Sequence, residues 1–313
     1  MRSGRLFPIH GDQAAGGLPE RIKPKNNMAS VDYDKARELW ESFRKEVMYG
    51  HRFFPSHCVL DKLKELAKRC VVSINLGTIF YRARIIDDNA ARTEHMIAKC
   101  YSTEYPEYDH TWYRNKENKF RGLCKEGSYV PPRPELIREG RSNPRFIRYL
   151  YMAESPTTAV FEVRPILYRA VNVSGIEVKQ PLTIANIATD ITPDNEKNID
   201  GWLLWFIQSA FSSPTTNSDD YIPSQIIAEY LRHLGYDGIR YSSSLHRGGY
   251  NLTVFDVAKC EAVFSSELRL ENMKISMCPA IGAENIDGHF EYIIDNIPMR
   301  LDRDSKKLVE TKV

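Results

Sequence analysis

The chain lacks a strong charge of either sign: 43 Lys and Arg stand against 41 Asp and Glu, a formal net charge of +2. No global attraction to nucleic acid or to a membrane surface is encoded, so a phosphate-bearing ligand must be met by locally placed arginines. Long apolar runs are missing, and a bilayer-crossing helix needs about 20 consecutive apolar residues. Six cysteines (Cys58, Cys70, Cys100, Cys124, Cys260 and Cys278) lie far apart without a CxxC pair. That pattern argues for free or buried thiols in a reducing compartment and against a disulfide framework. Eight dispersed histidines include no HExxH, so no metal is assigned. GxGxxG, GxxxxGK[ST] and GxSxG are absent as well, which removes the usual dinucleotide-fold, P-loop and hydrolase-elbow signatures. The opening MRSGRLFPIHGDQ is basic but has no apolar export core. The cytoplasm is the expected address.

What remains is an ordinary globular composition, 42% hydrophobic with 17 tyrosines, on a chain of 313 residues that can bury a sizeable core. Residues 1–29 are rich in Gly, Pro and basic residues and read as a flexible leader. Ser30 is the expected N-cap of a helix to Tyr49, because Tyr33, Ala36, Trp40, Phe43 and Val47 recur at helical spacing. Ser56 is expected to open a second, with Leu60, Leu63, Ala67 and Cys70 on one face. This pair, residues 30–72, forms an N-terminal helical extension. Strands are expected at 77–85, 148–153, 168–178, 182–187, 238–242, 252–257, 261–265 and 268–275. Helices are expected from Ser155-Pro156, at 201–211 and at 223–234, the last stopped by Gly235. The irregular alternation points to an α+β body over 73–280, followed by a C-terminal segment, 281–313.

Several residues lack an obvious packing reason. Arg82 and Arg84 alternate on one strand and so share a face. A solvated sheet face is the plainer explanation; a guanidinium clamp on a phosphate is the sharper one. Glu162 follows Ala, Val and Phe in a helix: it is a surface Glu, or a partly buried carboxylate that needs partners or a function. Gly140 to Asn143 (GRSN) suits a turn and equally a donor-rich ligand loop. Ser242, Ser243 and Ser244 either end a strand or rim a site. The basic, aromatic stretch 101–121 reads as a surface loop before it reads as a nucleic-acid contact.

In order, FYRAR (80–84), GRSNP (140–144), YLYMAESPTTAVFEVRP (149–165), YIPSQIIAEYLRHLGYDGIRYSSS (221–244) and NLTVF (251–255) resemble the RES domain, over about residues 77–257. The resemblance implies a fold similar to diphtheria-toxin-like ADP-ribosyltransferases: a mixed α+β sheet core with flanking helices. It implies a toxin that cleaves NAD at the nicotinamide–ribose bond by hydrolysis or phosphorolysis, with inorganic phosphate as the co-substrate in the second case and no cofactor. An antitoxin or immunity protein is the implied partner, and a homo-oligomer is allowed. The family's arginine falls on Arg82, its glutamate on Glu162 and its serine on Ser243, with Ser242 as the alternative. Tyr81, Arg141, Asn143, Tyr151 and Gln225 match positions expected around the nucleotide. Many compact members carry Trp between the Arg and Asn of the GR-x-N motif, and here that position is Ser142. Two other readings stay open: transfer of ADP-ribose to a macromolecule or nucleotide, and a non-catalytic nucleotide-binding module.

Overall fold

The computed structural model describes residues 27–86, 119–131, 133–165, 170–188, 198–213, 215, 217–269, 272–277, 290–295, 299–301 and 308–310. Most of the expected leader, the stretch 101–118, Cys100 and Cys278 lie outside them. Helix α1 (Asn27–Tyr49) starts three residues before the expected Ser30 cap, so Ser30 sits within the helix. Its predicted stripe is real: Tyr33, Ala36, Trp40, Phe43 and Val47 are all buried. Helix α2 (Cys58–Arg69) is capped by His57, whose ring accepts the Val59 N–H, and the expected Ser56 is not its cap. An imidazole nitrogen here does the work usually left to a hydroxyl or carboxylate.

Strand β1 (Val71–Ile74) was not foreseen. It follows α2 directly and pairs antiparallel with β6 (Leu182–Asn186), so the expected boundary between residues 72 and 73 falls inside a strand of the main sheet. The other sheet strands are β2 (Ile79–Ile86), β3 (Phe120–Arg121), β4 (Leu150–Ala153), β5 (Ala170–Val178), β7 (Gly238–Ser242), β8 (Tyr250–Val254) and β9 (Cys260–Arg269). Where two strands were expected near 261–275, β9 runs unbroken, and β10 (Asn272–Met277) pairs separately with β11 (Phe290–Asp295). Strands β12 (Met299–Leu301) and β13 (Leu308–Glu310) form another two-stranded ribbon.

The main sheet is nine-stranded and mixed, in the order β1-β6-β7-β8-β4-β2-β5-β9-β3. Only β6–β7 and β3–β9 are parallel. Helices α4 (Ile199–Ser212) and α5 (Ile222–His233) lie with α1 and α2 on one face, against Ala185, Ile187, Ile239 and Tyr241. The other face closes a second core of Phe80, Leu150, Met152, Ile176, Ile184, Leu252 and Val254. The architecture is α+β, with an N-terminal helical region built into its core. Among the described residues no helix is long and apolar enough to cross a membrane.

The N-terminal helices complete the helical layer: Tyr33 meets Trp202 of α4 edge to face, with ring centroids 5.0 Å apart. Phe43 is fully buried. Truncating such a ring costs roughly 3–5 kcal/mol. Phe43→Ala should therefore lower the denaturant midpoint of the whole protein in one transition, followed by tryptophan fluorescence and circular dichroism. Two separate transitions would show the helices to be an appendage.

Candidate active site

The site is built where the sheet splits. Strand β2 pairs with β5 along its full length, from Ile79 to Ile86, but with β4 at a single position, Tyr81 opposite Ala153. Past that pair the two strands diverge, and an open cleft of about 560 Å³ lies between them. Its walls include Arg82, Arg84, Arg138, Asn143, Tyr149, Tyr151 and Val163. Side chains that face one another across a ladder share a face. The row Tyr241–Asn251–Ala153–Tyr81 thus crosses four strands on the helical side, whereas Arg82 and Arg84 belong to the other face.

Arg82 bends into the split and donates from Nη1 to the Tyr151 carbonyl at 3.0 Å. Its Nε is buried and has no partner among the described residues, and no carboxylate pairs with it there. Burial, and then the neighbouring Arg84 guanidinium, push its pKa well below the ordinary arginine range. A cation so placed is held at a cost that a bound anion offsets. Arg84 is anchored through Nη2 to the Tyr129 carbonyl, and the Tyr129 hydroxyl in turn donates to the Cys260 carbonyl at 2.9 Å.

The carboxylate comes from α3 (Pro156–Glu162). Ser155 caps this helix by accepting the Thr158 N–H at 3.1 Å, and Pro156 takes its first position, as the sequence indicates. Glu162, at its last turn, accepts at Oε1 from Ser243 Oγ (2.6 Å) and from Asn251 Nδ2 (2.7 Å). Its Oε2 has no partner among the described residues and is the oxygen left for a ligand. Glu162 and Ser243 are not themselves in the walls of the 560 Å³ cleft; the adjacent Val163 is.

Ser243 is fully employed. Its one proton goes to Glu162 while Oγ accepts the N–H groups of Leu245 (3.2 Å) and His246 (3.0 Å). In this structure the Ser243 hydroxyl holds the Glu162 carboxylate. Ser242 contacts Gln208 at 3.5 Å, and Ser244 donates to the Ser212 carbonyl, so of the three serines only Ser243 reaches Glu162. The loop from Ser243 to Gly249 is pinned to α3 by His246, whose Nδ1 is 2.8 Å from Thr158 Oγ1 and whose ring stacks on Phe161. A Cβ on Gly249 would come within 2.5 Å of that hydroxyl and 2.7 Å of His246 Nδ1, so a larger residue here would have to displace this tie.

The remaining candidates divide. Asn143 is buried and spends both amide hydrogens on the carbonyls of Arg138, Pro144 and Ile147, while its oxygen accepts from Tyr151. Gln225 ties the carbonyls of Gly140 and Asn143 to α5. These two residues build the 140–143 loop, and the Tyr151 hydroxyl, which also receives the Ser142 N–H, closes it. Gly140 has no room for a Cβ, which would sit 2.7 Å from Asn143 Oδ1. Arg141 is half-buried, and its guanidinium makes no hydrogen bond or ion pair with the described residues. Tyr81 is likewise half-buried on the sheet face beside Ala153. Ser142 is fully buried with its hydroxyl 3.3 Å from Thr253, so this position offers no stacking surface. Asn251 was legible only as the residue after the serine run, and His246 carried no signal at all. The thiols of Cys124 and Cys260 are driven up by burial, to about 11 and about 12, and stay protonated at neutral pH. Among the described residues no group of three or more metal-ligating side chains occurs.

The model of the RES domain matches residues 111–271, just over half of the chain. The chain belongs to the RES domain family. The match takes in Glu162, Ser243 and Asn251, but it begins after Arg82, which the ladder between β2 and β5 brings to the site. Among solved structures the chain resembles one from the "Crystal structure of the M.tuberculosis MbcT-MbcA toxin-antitoxin complex", with 13% identity and a TM-score of 0.35. That likeness covers 67% of this chain and 93% of that one. No curated protein matches the sequence.

The geometry around Glu162 makes a prediction independent of any activity. Asn251→Asp replaces a donor by a second carboxylate, and two like charges at this spacing cannot both ionise freely. At least one of the pair gains a raised folded pKa, so its stabilising contribution belongs to low pH and is lost as pH rises through it. The variant should be less stable than the parent by roughly 1–3 kcal/mol at pH 8, with the gap closing below about pH 4, where carboxylates protonate. Denaturant titrations across that range check it; a pH-independent gap would contradict the contact.

Proposed function

We propose that this RES domain protein cleaves NAD at the nicotinamide–ribose bond. The observation that carries the reading is the half-buried Arg82 guanidinium, its Nε buried and without a carboxylate partner among the described residues, opening into a cleft that adjoins the Glu162–Ser243–Asn251 cluster. A pyrophosphate offers the paired oxygens that a guanidinium fork binds best. With the pyrophosphate on Arg82, the nicotinamide ribose reaches toward α3.

The chemistry then asks little of the protein. Nicotinamide in NAD is already a cationic leaving group, so its departure needs no strong general acid. What develops is an oxocarbenium-like ribose, and a fixed carboxylate nearby stabilises that charge. Glu162 takes this part through Oε2, because Oε1 is saturated by Ser243 and Asn251. Two neutral donors on one oxygen also fix the carboxylate's orientation, so little reorganisation is needed as charge forms. Water or inorganic phosphate captures the cation. A toxin role, held in check by an antitoxin, follows from the family resemblance and from the consequence of NAD loss for a cell.

Purified protein incubated with NAD, with and without phosphate, distinguishes the outcomes. Nicotinamide with ADP-ribose marks hydrolysis, and a phosphorylated ADP-ribose marks phosphorolysis. Labelled macromolecule would mark transfer instead, and no product under any condition would leave a binding module. Glu162→Ala should lower kcat by about 100-fold or more while NAD still binds, the scale of losing one electrostatic group at the reacting centre. Arg82→Ala should weaken NAD binding itself. Near-normal turnover in Glu162→Ala would contradict the assigned role. In bacteria, growth arrest on expression should vanish with either substitution.

A further inference from the structure

Glu162 is carried by a helix of seven residues, and a helix that short has little hold on its own orientation. The loop between β7 and β8 touches α3 at two points. Ser243 Oγ meets Glu162 Oε1 at 2.6 Å, and His246 Nδ1 meets Thr158 Oγ1 at 2.8 Å. Thr158 and Glu162 stand four positions apart, so both contacts fall on one face of the helix, a turn from each other. A single tie would let the helix roll and the carboxylate swing. Two ties on successive turns fix both.

The loop is stiff enough to transmit that constraint. A hydroxyl has one proton and two lone pairs. The N–H groups of Leu245 and His246 occupy the Ser243 oxygen, so the turn that carries the imidazole also aims the serine proton at Glu162. The turn is closed at its base: the Ser243 N–H donates to the Gly249 carbonyl at 2.8 Å, and the Gly249 N–H to that of His246 at 2.9 Å. On the helix side the anchor is equally fixed, because Thr158 is fully buried and its hydroxyl is also 2.8 Å from Ser155 Oγ. The half-buried imidazole lies parallel to the Phe161 ring, with centroids 5.3 Å apart.

Resting on the NAD reading above, we propose that His246 is a positioning residue for the bond-breaking step. Through its turn and Thr158 it sets the direction in which the Glu162 carboxylate faces the ribose. Arg82, which contacts the Tyr151 carbonyl instead, stands outside this network. Loss of the His246 tie should therefore act on turnover and spare the binding of NAD.

Steady-state kinetics of two substitutions with opposite chemistry test the assignment. His246→Phe keeps a ring for Phe161 and removes the nitrogen. His246→Asn gives up the ring but puts a polar atom the same number of bonds from Cα as Nδ1. With phenylalanine, kcat for NAD should fall about tenfold while KM stays within about twofold, because slight misplacement of a group at the reacting centre slows the chemistry without weakening binding. Asparagine should restore most of kcat. Thr158→Val breaks the same tie from the helix side, leaves the capped N–H in place and should reproduce the loss. Combined with His246→Phe it should add nothing further. Unchanged kcat in His246→Phe overturns the proposal, as does a loss that asparagine fails to repair, which would trace to the ring or to folding. A rise in KM that accounts for the whole effect, or fully additive losses in the double variant, overturns it too. In all of these the parent still consumes NAD; if it consumes none under any condition, the NAD reading fails and this assignment with it.

Discussion

A half-buried positive charge without an acidic partner among the described residues is the constraint around which the cleft is organised. Arg82 sits at the point where β2 and β4 part, and the only acceptor it has found within the described protein is a backbone carbonyl. Hydrophobic packing alone would replace such a group by an apolar one of similar size, since even paired buried charges rarely improve stability. The surrounding structure nevertheless preserves it. Strand β5 holds β2 in register on one side, Arg84 is tethered beside it, and the half-buried Tyr151 presents the accepting carbonyl. A rigid sheet is what allows the split to stay open: nine strands, two cores and a helical layer fix the edges of a gap that a looser fold would collapse.

The second organising element is the single oxygen Glu162 Oε1, on which a loop serine and a strand asparagine converge. Three chain segments far apart in sequence are tied together there: α3, the loop after β7, and β8. His246 and Thr158 fasten the same loop to the same helix a few residues away. Helix α3 is only seven residues long, and its own hydrogen bonds would not keep it in place. Its position is set by its cap, its packing on β2 and these two side-chain ties. Among the described residues the arrangement leaves the other carboxylate oxygen without a partner, as the proposed role of Glu162 requires.

Much of this was legible where the signal is local. Ser155-Pro156 announces α3, the apolar run around Trp202 announces α4, and Gly235, at φ +91°, ends α5 where expected. The ordered motifs identified the family and put Arg82, Glu162 and Ser243 in play. What the sequence hid was tertiary. Strand β1 is four residues long and gains its identity only from β6. Ser30 and Ser56 look like caps, yet the helices begin elsewhere because packing and the His57 ring decide. Asn143 and Gln225 match motif positions expected around the nucleotide, and only the fold shows that their amide N–H groups hold the 140–143 loop together. The destination of the Ser243 proton could be learned only from the distance to Glu162.

The most direct test of the central claim is a crystal structure of the Glu162→Gln protein with NAD bound. The account predicts the pyrophosphate against the Arg82 guanidinium, with the anomeric carbon of the nicotinamide ribose facing the side chain at position 162. NAD bound away from the split between β2 and β4, or with its phosphates out of reach of Arg82, would contradict it.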